Sequence, residues 1–257
     1  MDIKYITDQL IQSIKEIGKV MVHKSDTKIV MEKGDAANLV TNIDILVQNL
    51  LIERCKVLIP EAGFIAEEND ISKAEEWSWI IDPIDGTCNY TYDFLHSCIS
   101  VALYHGFEGI LGVVYNPFTD ECFAGLKDYG AYMNGNRIFG CHHDLAHSLV
   151  MVGTTPYEKN KADLTFDVMK RIFLHTSDIR RSGGAALDLC YVACGRADAF
   201  YEACLSPWDY AAGIVILKEA GVCVELLSNE VEWVRCGVIA GNLGCFDDFR
   251  RLVLFGE

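Results

Sequence analysis

The sequence predicts an α+β chain folded as a layered sandwich, not a regular βαβ barrel. Three observations predict it. Helical stripes of three-and-four spacing mix in irregular order with short apolar runs bounded by turn residues. No internal repeat recurs along the chain. No linker rich in Pro, Gly or Ser divides the 257 residues. That length suits a single domain of two closely packed halves, about 1–140 and about 141–257.

Ile3, Ile6, Leu10, Ile14, Ile17 and Met21 form one stripe, which predicts an amphipathic helix over 3–21. A second helix is expected from about Asn42 to Leu58. Trp77–Ile81 is a short, mostly apolar run and reads as a buried strand that stops at Asp82-Pro83, with Trp77 and Trp79 as packing residues. Cys98–Tyr104 and Gly109–Tyr115 read as two strands joined around His105-Gly106. More strand is expected at Cys122–Leu126 and around Tyr132, with Asn134-Gly135 as a turn. Leu149–Val152 then reads as a strand and Ala162–Phe173 as a helix. Gly184–Cys194 reads as a helix stopped by Gly195, Ala199–Glu202 as a strand, and Ser206–Ala220 as a helix stopped by Gly221. Val238–Ala240 and Phe246–Leu254 complete the set.

With 22 Lys+Arg against 37 Asp+Glu the formal charge is −15, and hydrophobic residues make up 51%. This excludes a disordered or collagenous chain, and it argues against a nucleic-acid backbone or an anionic membrane as partner. An anionic substrate stays open, because bound metal ions reverse the field locally. No apolar run approaches the roughly 20 residues of a membrane span. Met1-Asp2-Ile3-Lys4 lacks the basic start of a signal peptide. The eleven cysteines, spread from Cys55 to Cys245 without a Cys-x-x-Cys pair, are expected to be reduced core residues. A cytoplasmic location is the expectation that follows.

The informative segment is Ile81-Asp82-Pro83-Ile84-Asp85-Gly86-Thr87. Two carboxylates three residues apart sit where a buried strand ends, and Pro83 keeps Asp82 extended. Gly86 lets the backbone approach a ligand. If a helix starts there, the amides of Gly86 and Thr87 would cradle a phosphate beside metal-binding acids. A simple Pro-x-Asp-Gly turn uses the same residues. Glu67-Glu68 follows the apolar Phe64-Ile65-Ala66 and brings a further acid, or an exposed acidic loop. Asp209 after Ser206-Pro207-Trp208, and Asp44 after Thr41, each read as the acid of a capping box. Each position is explicable alone. Four together point to one acidic site.

Ala66-Glu67-Glu68, Asp82–Thr87 and Pro207-Trp208-Asp209-Tyr210-Ala211-Ala212-Gly213 resemble the three signature motifs of the inositol monophosphatase family, within the superfamily of lithium-sensitive, magnesium-dependent phosphatases. Arg181–Leu189 resembles its bacterial branch. The resemblance implies an α/β/α/β/α sandwich shared with fructose-1,6-bisphosphatase, two or three Mg²⁺ ions and a homodimer. It implies Glu67, Asp82, Asp85, Asp209 and the Ile84 carbonyl as metal ligands. Asp44, Glu67 and Thr87 become the catalytic set, with Asp44 and Thr87 orienting the attacking water, and the amides of Gly86 and Thr87 hold phosphate. Asp85, Thr154, Ala185, Glu202 and Asp209 are expected to meet the substrate. Hard cations fit such oxygen donors, and no His or Cys is required.

The implied activity is hydrolysis of myo-inositol 1-phosphate or a related polyol phosphate. Asn89 and Glu202 lean toward inositol phosphate, against histidinol phosphate, fructose 1,6-bisphosphate and 3′-phosphoadenosine 5′-phosphate. A non-catalytic scaffold is the remote alternative. This chain departs from the family pattern at Asn38, where relatives have Asp, and at Ala66, where they have Gly. Leu226–Arg235 is short, which suggests a trimmed edge hairpin far from the chemistry. His142-His143 offers metal-binding imidazoles but reads first as a solvated loop doublet, and Ser182-Gly183-Gly184 as a helix cap without the Lys-Ser/Thr of a phosphate loop.

Overall fold

The computed structural model of the chain describes residues 2–23, 29–32, 39–68, 71–73, 75–228 and 233–256. Asn38 and residues 229–232 lie outside them. A two-stranded ribbon of β1 (Ile29–Glu32) and β2 (Leu39–Thr41) precedes the main sheets. The larger sheet has eight strands in the order β10-β9-β8-β7-β6-β5-β3-β4. Its members are β3 (Gly63–Ala66), β4 (Ile71–Lys73), β5 (Trp77–Asp85), β6 (Cys98–His105), β7 (Glu108–Asn116), β8 (Glu121–Leu126), β9 (Gly130–Met133) and β10 (Asn136–Ile138). All its pairings are antiparallel except β3 with β5. The smaller sheet has the order β12-β11-β13-β15-β14. It is built from β11 (Leu149–Val152), β12 (Asp178–Arg180), β13 (Ala199–Leu205), β14 (Cys223–Leu227) and β15 (Cys236–Gly241).

Seven α-helices among the described residues form the remaining layers: α1 (Ile3–Val22), α2 (Asn42–Leu58), α3 (Thr87–Thr91), α4 (Ala162–His175), α5 (Ala185–Ala193), α6 (Pro207–Glu219) and α7 (Phe246–Phe255). Strand alternation assigns the faces. On β6, Ile99, Val101 and Leu103 join the core beneath α1 and α2, whereas Cys98, Ala102 and Tyr104 join the core around α5 and α6. On β13, Phe200 faces α5 and α6, whereas Ala199 and Tyr201 pack toward α4 and α7. The result is the expected α/β/α/β/α sandwich. The central layer explains why α6 lacks a polar face: eight consecutive residues, Tyr210 to Leu217, are buried between the two sheets.

Most elements lie within two residues of their expected bounds, because their apolar periods and caps are unambiguous. β5 differs. It does not stop at Asp82-Pro83 but continues to Asp85, with a register shift against β6 between those two residues. Proline is tolerated in this interior strand because it sits at the bulge and because β3 ends beside it, at Ala66 opposite Ile81.

Gly112 of β7 and Gly125 of β8 face each other in register directly under α6. A Cβ on Gly112 would lie 2.9 Å from Ala212 Cα, and one on Gly125 2.7 Å from Ile216 Cα. Backbone contact, not side-chain packing, sets that spacing. Gly112→Val is expected to destabilise the fold by about 1–3 kcal/mol or more, read as a fall in denaturation midpoint.

Candidate active site

The bulge in β5 gives the site its first two acids. Asp82 accepts the Ile84 amide at 3.0 Å, which fixes the turn within the strand. Asp85, at the strand's end, accepts the amides of Ala185 (3.2 Å) and Ala186 (2.9 Å). Those amides open α5, so the carboxylate occupies the positive end of a helix from the other half of the chain. Asp209 arrives from the first turn of α6 and accepts the Ser206 amide at 2.7 Å, the capping-box bond expected from the sequence. One carboxylate oxygen from each of Asp82, Asp85 and Asp209 lies within 4.8 Å of the other two. Glu67 follows β3 and borders the same cleft, with its carboxyl hydrogen-bonded to that of Asp82. Glu68 is turned inward instead, its backbone bracketed by the Gln48 amide at 2.7 and 2.8 Å.

Asp44 and Thr87 are joined behind this cluster. Thr87 Oγ1 lies 3.0 Å from both Asp44 Oδ1 and the Ile84 carbonyl. Asp44 Oδ2 accepts the Thr41 amide at 2.8 Å, completing the expected cap of α2. Gly86 adopts φ +81 before α3, and a Cβ there would crowd the His96 carbonyl at 3.0 Å. Only glycine meets both demands.

The cleft, of about 330 Å³, is closed on its other side by residues of the smaller sheet and α5. Thr154, Ala185 and Glu202 all line it. The Ala185 amide is spent on Asp85 and its carbonyl points into α5, so this residue offers the cleft its methyl. Glu202 Oε1 accepts the Thr155 amide at 2.7 Å, and a Cβ on Gly153 would overlap the Glu202 carboxylate. Asn89 also lines the cleft, but its amide donates to the carbonyls of His96 (2.7 Å) and Ser182 (3.0 Å), so it ties loops together.

Several lining residues had no individual sequence signal. Arg181 donates to Thr154 Oγ1 at 3.0 and 3.2 Å, and Tyr157 lines the same cleft as the acids. Behind Asp85, His96 Nε2 lies 2.9 Å from the buried Asp188, which also accepts from Ser182 Oγ. Arg235 corrects an expectation. β14 is indeed an edge strand, yet Arg235 lines the cleft and pairs with Glu158 at 2.9 Å. It precedes Cys236, which pairs with Leu205 at the end of β13 where Ser206–Asp209 begins.

Burial dominates the electrostatics. It pushes Asp85 and Asp209 up to about 7, against the helix amides that favour their charge. Asp82 is raised well above the carboxylate range by burial and then by Glu67, Asp85 and Asp209. Burial likewise raises Asp44 to about 6, opposed by Thr41 and Thr87, and Glu202 to about 8, opposed by the Thr155 amide. The donor set is carboxylate and carbonyl oxygen only, which suits hard divalent cations, whose charge would neutralise the mutual repulsion.

A layered sandwich with an oxygen-only acidic cleft at the junction of a bulged strand and two helix starts defines a class of proteins whose acids gather hard cations. The inositol monophosphatase family model matches residues 2–248. The chain is 36% identical to inositol monophosphatase 2 of Solanum lycopersicum over 253 residues, covering 94% of this chain and 95% of that one. It is 33% identical to the Nus factor SuhB of Xylella fastidiosa over 216 residues, 82% of this chain and 78% of the relative. The structure of the Thermotoga maritima IMPase superposes with TM-score 0.86 at 30% identity, covering 98% of this chain and 97% of that one. The chain belongs to the inositol monophosphatase family, a family of phosphatases.

The raised carboxylates set a pH dependence. A carboxyl whose folded pKa exceeds its unfolded value near 4 favours the folded state only while protonated. Metal-free protein is therefore expected to lose stability as pH rises from about 4 to about 7, the value for Asp85 and Asp209. Calorimetry of chelated protein at pH 5 and pH 8 checks this. Adding Mg²⁺ at pH 8 should recover more stability than adding it at pH 5.

Proposed function

We propose that this chain is a Mg²⁺-dependent phosphomonoesterase that releases phosphate from myo-inositol 1-phosphate or a closely related polyol phosphate. The observation that carries the reading is the convergence of Asp82, Asp85 and Asp209 within 4.8 Å, with Glu202 facing the same cleft. Glu67, Asp82, Asp85, Asp209 and the Ile84 carbonyl would hold two or three Mg²⁺ ions. Bound there, Mg²⁺ supplies charge neutralisation of the phosphate and acidification of water.

The chain's own residues do the rest. Thr87 Oγ accepts a hydrogen bond from the attacking water while its own proton rests on Asp44, 3.0 Å away. This aims the water and sends its proton toward a carboxylate that burial has already made more basic. The amides of Gly86 and Thr87 receive phosphate oxygens. Asp209 and Glu202 meet the substrate hydroxyls, and the Thr155 amide fixes the Glu202 carboxylate for this purpose. Because the Asn89 donors are engaged elsewhere, the lean toward a polyol rests on Glu202.

A second reading has one observation behind it. The Arg181 guanidinium borders the cleft on Thr154, where a second phosphate of fructose 1,6-bisphosphate or 3′-phosphoadenosine 5′-phosphate would find a cation. Histidinol phosphate has no comparable observation. The SuhB relatives bear the name Nus factor; a non-catalytic scaffold, the remote alternative, would not need the acid set present here. Lithium inhibition, a homodimer and a cytoplasmic location belong to the same proposal. No helix among the described residues is long and apolar enough to cross a membrane.

Phosphate release from these four substrates, with and without Mg²⁺, tests the reading. Inositol 1-phosphate is expected to be preferred, and Asp82→Asn to abolish turnover while leaving the protein folded. Preference for a bisphosphate would transfer the assignment to the second reading. Glu202→Ala should raise KM by roughly tenfold or more, the equivalent of one hydrogen bond to a charged group, with a smaller change in kcat. Gly153→Ala should act in the same direction by displacing Glu202.

A further inference from the structure

At the opposite end of β13 from Asp209, three side chains of different chemistry converge. Cys141 and His143 lie on the connection between β10 and β11, and Asp198 immediately precedes β13. One donor atom from each lies within 4.8 Å of the other two. The strand between this point and the carboxylate cleft has seven residues, roughly 20 Å at about 3.3 Å per residue. The two clusters share no residue.

Asp198 Oδ1 is over-subscribed. Cys141 Sγ approaches it at 2.8 Å, His143 Nδ1 at 2.9 Å and Asn242 Nδ2 at 2.9 Å. A carboxylate oxygen offers about two lone pairs, which Cys141 and Asn242 already take, so the His143 nitrogen is a third polar atom crowded onto it. The sulfur contact is also short for a thiol: the thiols of Cys98, Cys194 and Cys245 meet oxygen acceptors at 3.6–3.8 Å. A cation among sulfur, imidazole nitrogen and carboxylate oxygen turns the sulfur and the ring nitrogen into ligands and leaves Asn242 hydrogen-bonding the carboxylate.

We infer that Cys141, His143 and Asp198 form a binding site for a borderline-soft divalent cation of the zinc class. Thiolate, imidazole and carboxylate together favour such an ion over Mg²⁺. The supporting shell is in place: Asn242 Nδ2 and the Leu149 amide (2.8 Å) orient Asp198, and Asn242 is itself fixed by the amides of Gly244 and Cys245. The His143 side chain is 62% exposed, which leaves a solvent path and a fourth position for water. On binding, the Cys141 Sγ–H bond breaks, a sulfur–metal bond forms, and one proton passes to solvent.

The site staples three connections. Cys141 and His143 lie between the two sheets, Asp198 between α5 and β13, and Asn242 just after β15. A Cβ on Gly195, at the end of α5, would touch the Cys141 amide at 3.4 Å. The other end of α5 carries the amides that hold Asp85, and β13 carries Glu202. The ion's role is therefore to stabilise the scaffold of the cleft, and the inference is independent of which phosphoester is cleaved.

Cobalt(II) is the probe, added to the full chain with excess Mg²⁺ present. A cysteine ligand gives a near-ultraviolet thiolate-to-cobalt charge-transfer band that carboxylate ligands cannot produce. One equivalent should produce the band, Zn²⁺ should displace it, and Mg²⁺ should not. Cys141→Ser should remove it, and His143→Ala, at an exposed position, should weaken binding by about tenfold or more. Cys88→Ser, which alters the exposed thiol at the cleft, should leave it intact. Zn²⁺ should raise the denaturation temperature of the parent chain but not of Cys141→Ser. Absence of the band in folded parent protein, or its survival in Cys141→Ser, would overturn the inference whatever the phosphatase assay shows.

Discussion

Asp82, Asp85 and Asp209 bring three carboxylates together in a buried space, and the rest of the structure answers that arrangement. Like charges at this separation in a weakly polar setting repel strongly, and burial alone disfavours each of them. The fold holds them by giving almost every acid a backbone amide of its own. Ile84 serves Asp82, Ala185 and Ala186 serve Asp85, and Ser206 serves Asp209. These donors lie in a strand bulge and two helix starts, so none can move without disturbing an element. The cost of assembling negative charge is carried by rigid secondary structure, and the proposed divalent cations would offset what remains.

The acids proposed as metal ligands or catalytic groups are consequently structural as well. Asp44 caps α2 and accepts from Thr87, and Asp209 caps α6 while facing the cleft. The Asp85–α5 contact joins the end of a strand of the larger sheet to a helix packed against the smaller one. It is the polar counterpart of the apolar layer in which α6 rests on Gly112 and Gly125. Helix-capping and metal-binding readings of these residues, which compete when only sequence is considered, describe the same geometry.

The same scaffold carries donors of two kinds at its two ends. Oxygen donors surround the cleft, where α5, α6 and the end of β13 meet. Sulfur, imidazole and carboxylate meet at the start of β13, beyond the far end of α5. Ions of different hardness sort between such sites by ligand type, geometry and metal availability. The separation matters because a zinc-class ion bound in the cleft would compete with Mg²⁺ there, whereas one bound near Asp198 would not.

The sequence by itself determined the element order, the layered class and the acid set. Periodicity is a local property: the Ile3–Met21 stripe, the Thr41 and Ser206 caps and the Asp-Pro-Ile-Asp-Gly-Thr string are each legible within a few residues. Strand continuation through Pro83 was not legible, because it depends on where β3 ends. Nor was the engagement of Asn89 by two carbonyls, or the arrival of Arg235 at the cleft, because both depend on loops distant in sequence. The His143 doublet looked like a solvated loop for the same reason. Its partner Asp198 lies 55 residues away, and only the docking of the smaller sheet's connections brings imidazole, thiol and carboxylate together. Local pattern selects which residues are available; long-range packing decides which of them meet, because side-chain chemistry acts over a few ångströms and chain separation carries no information about that distance.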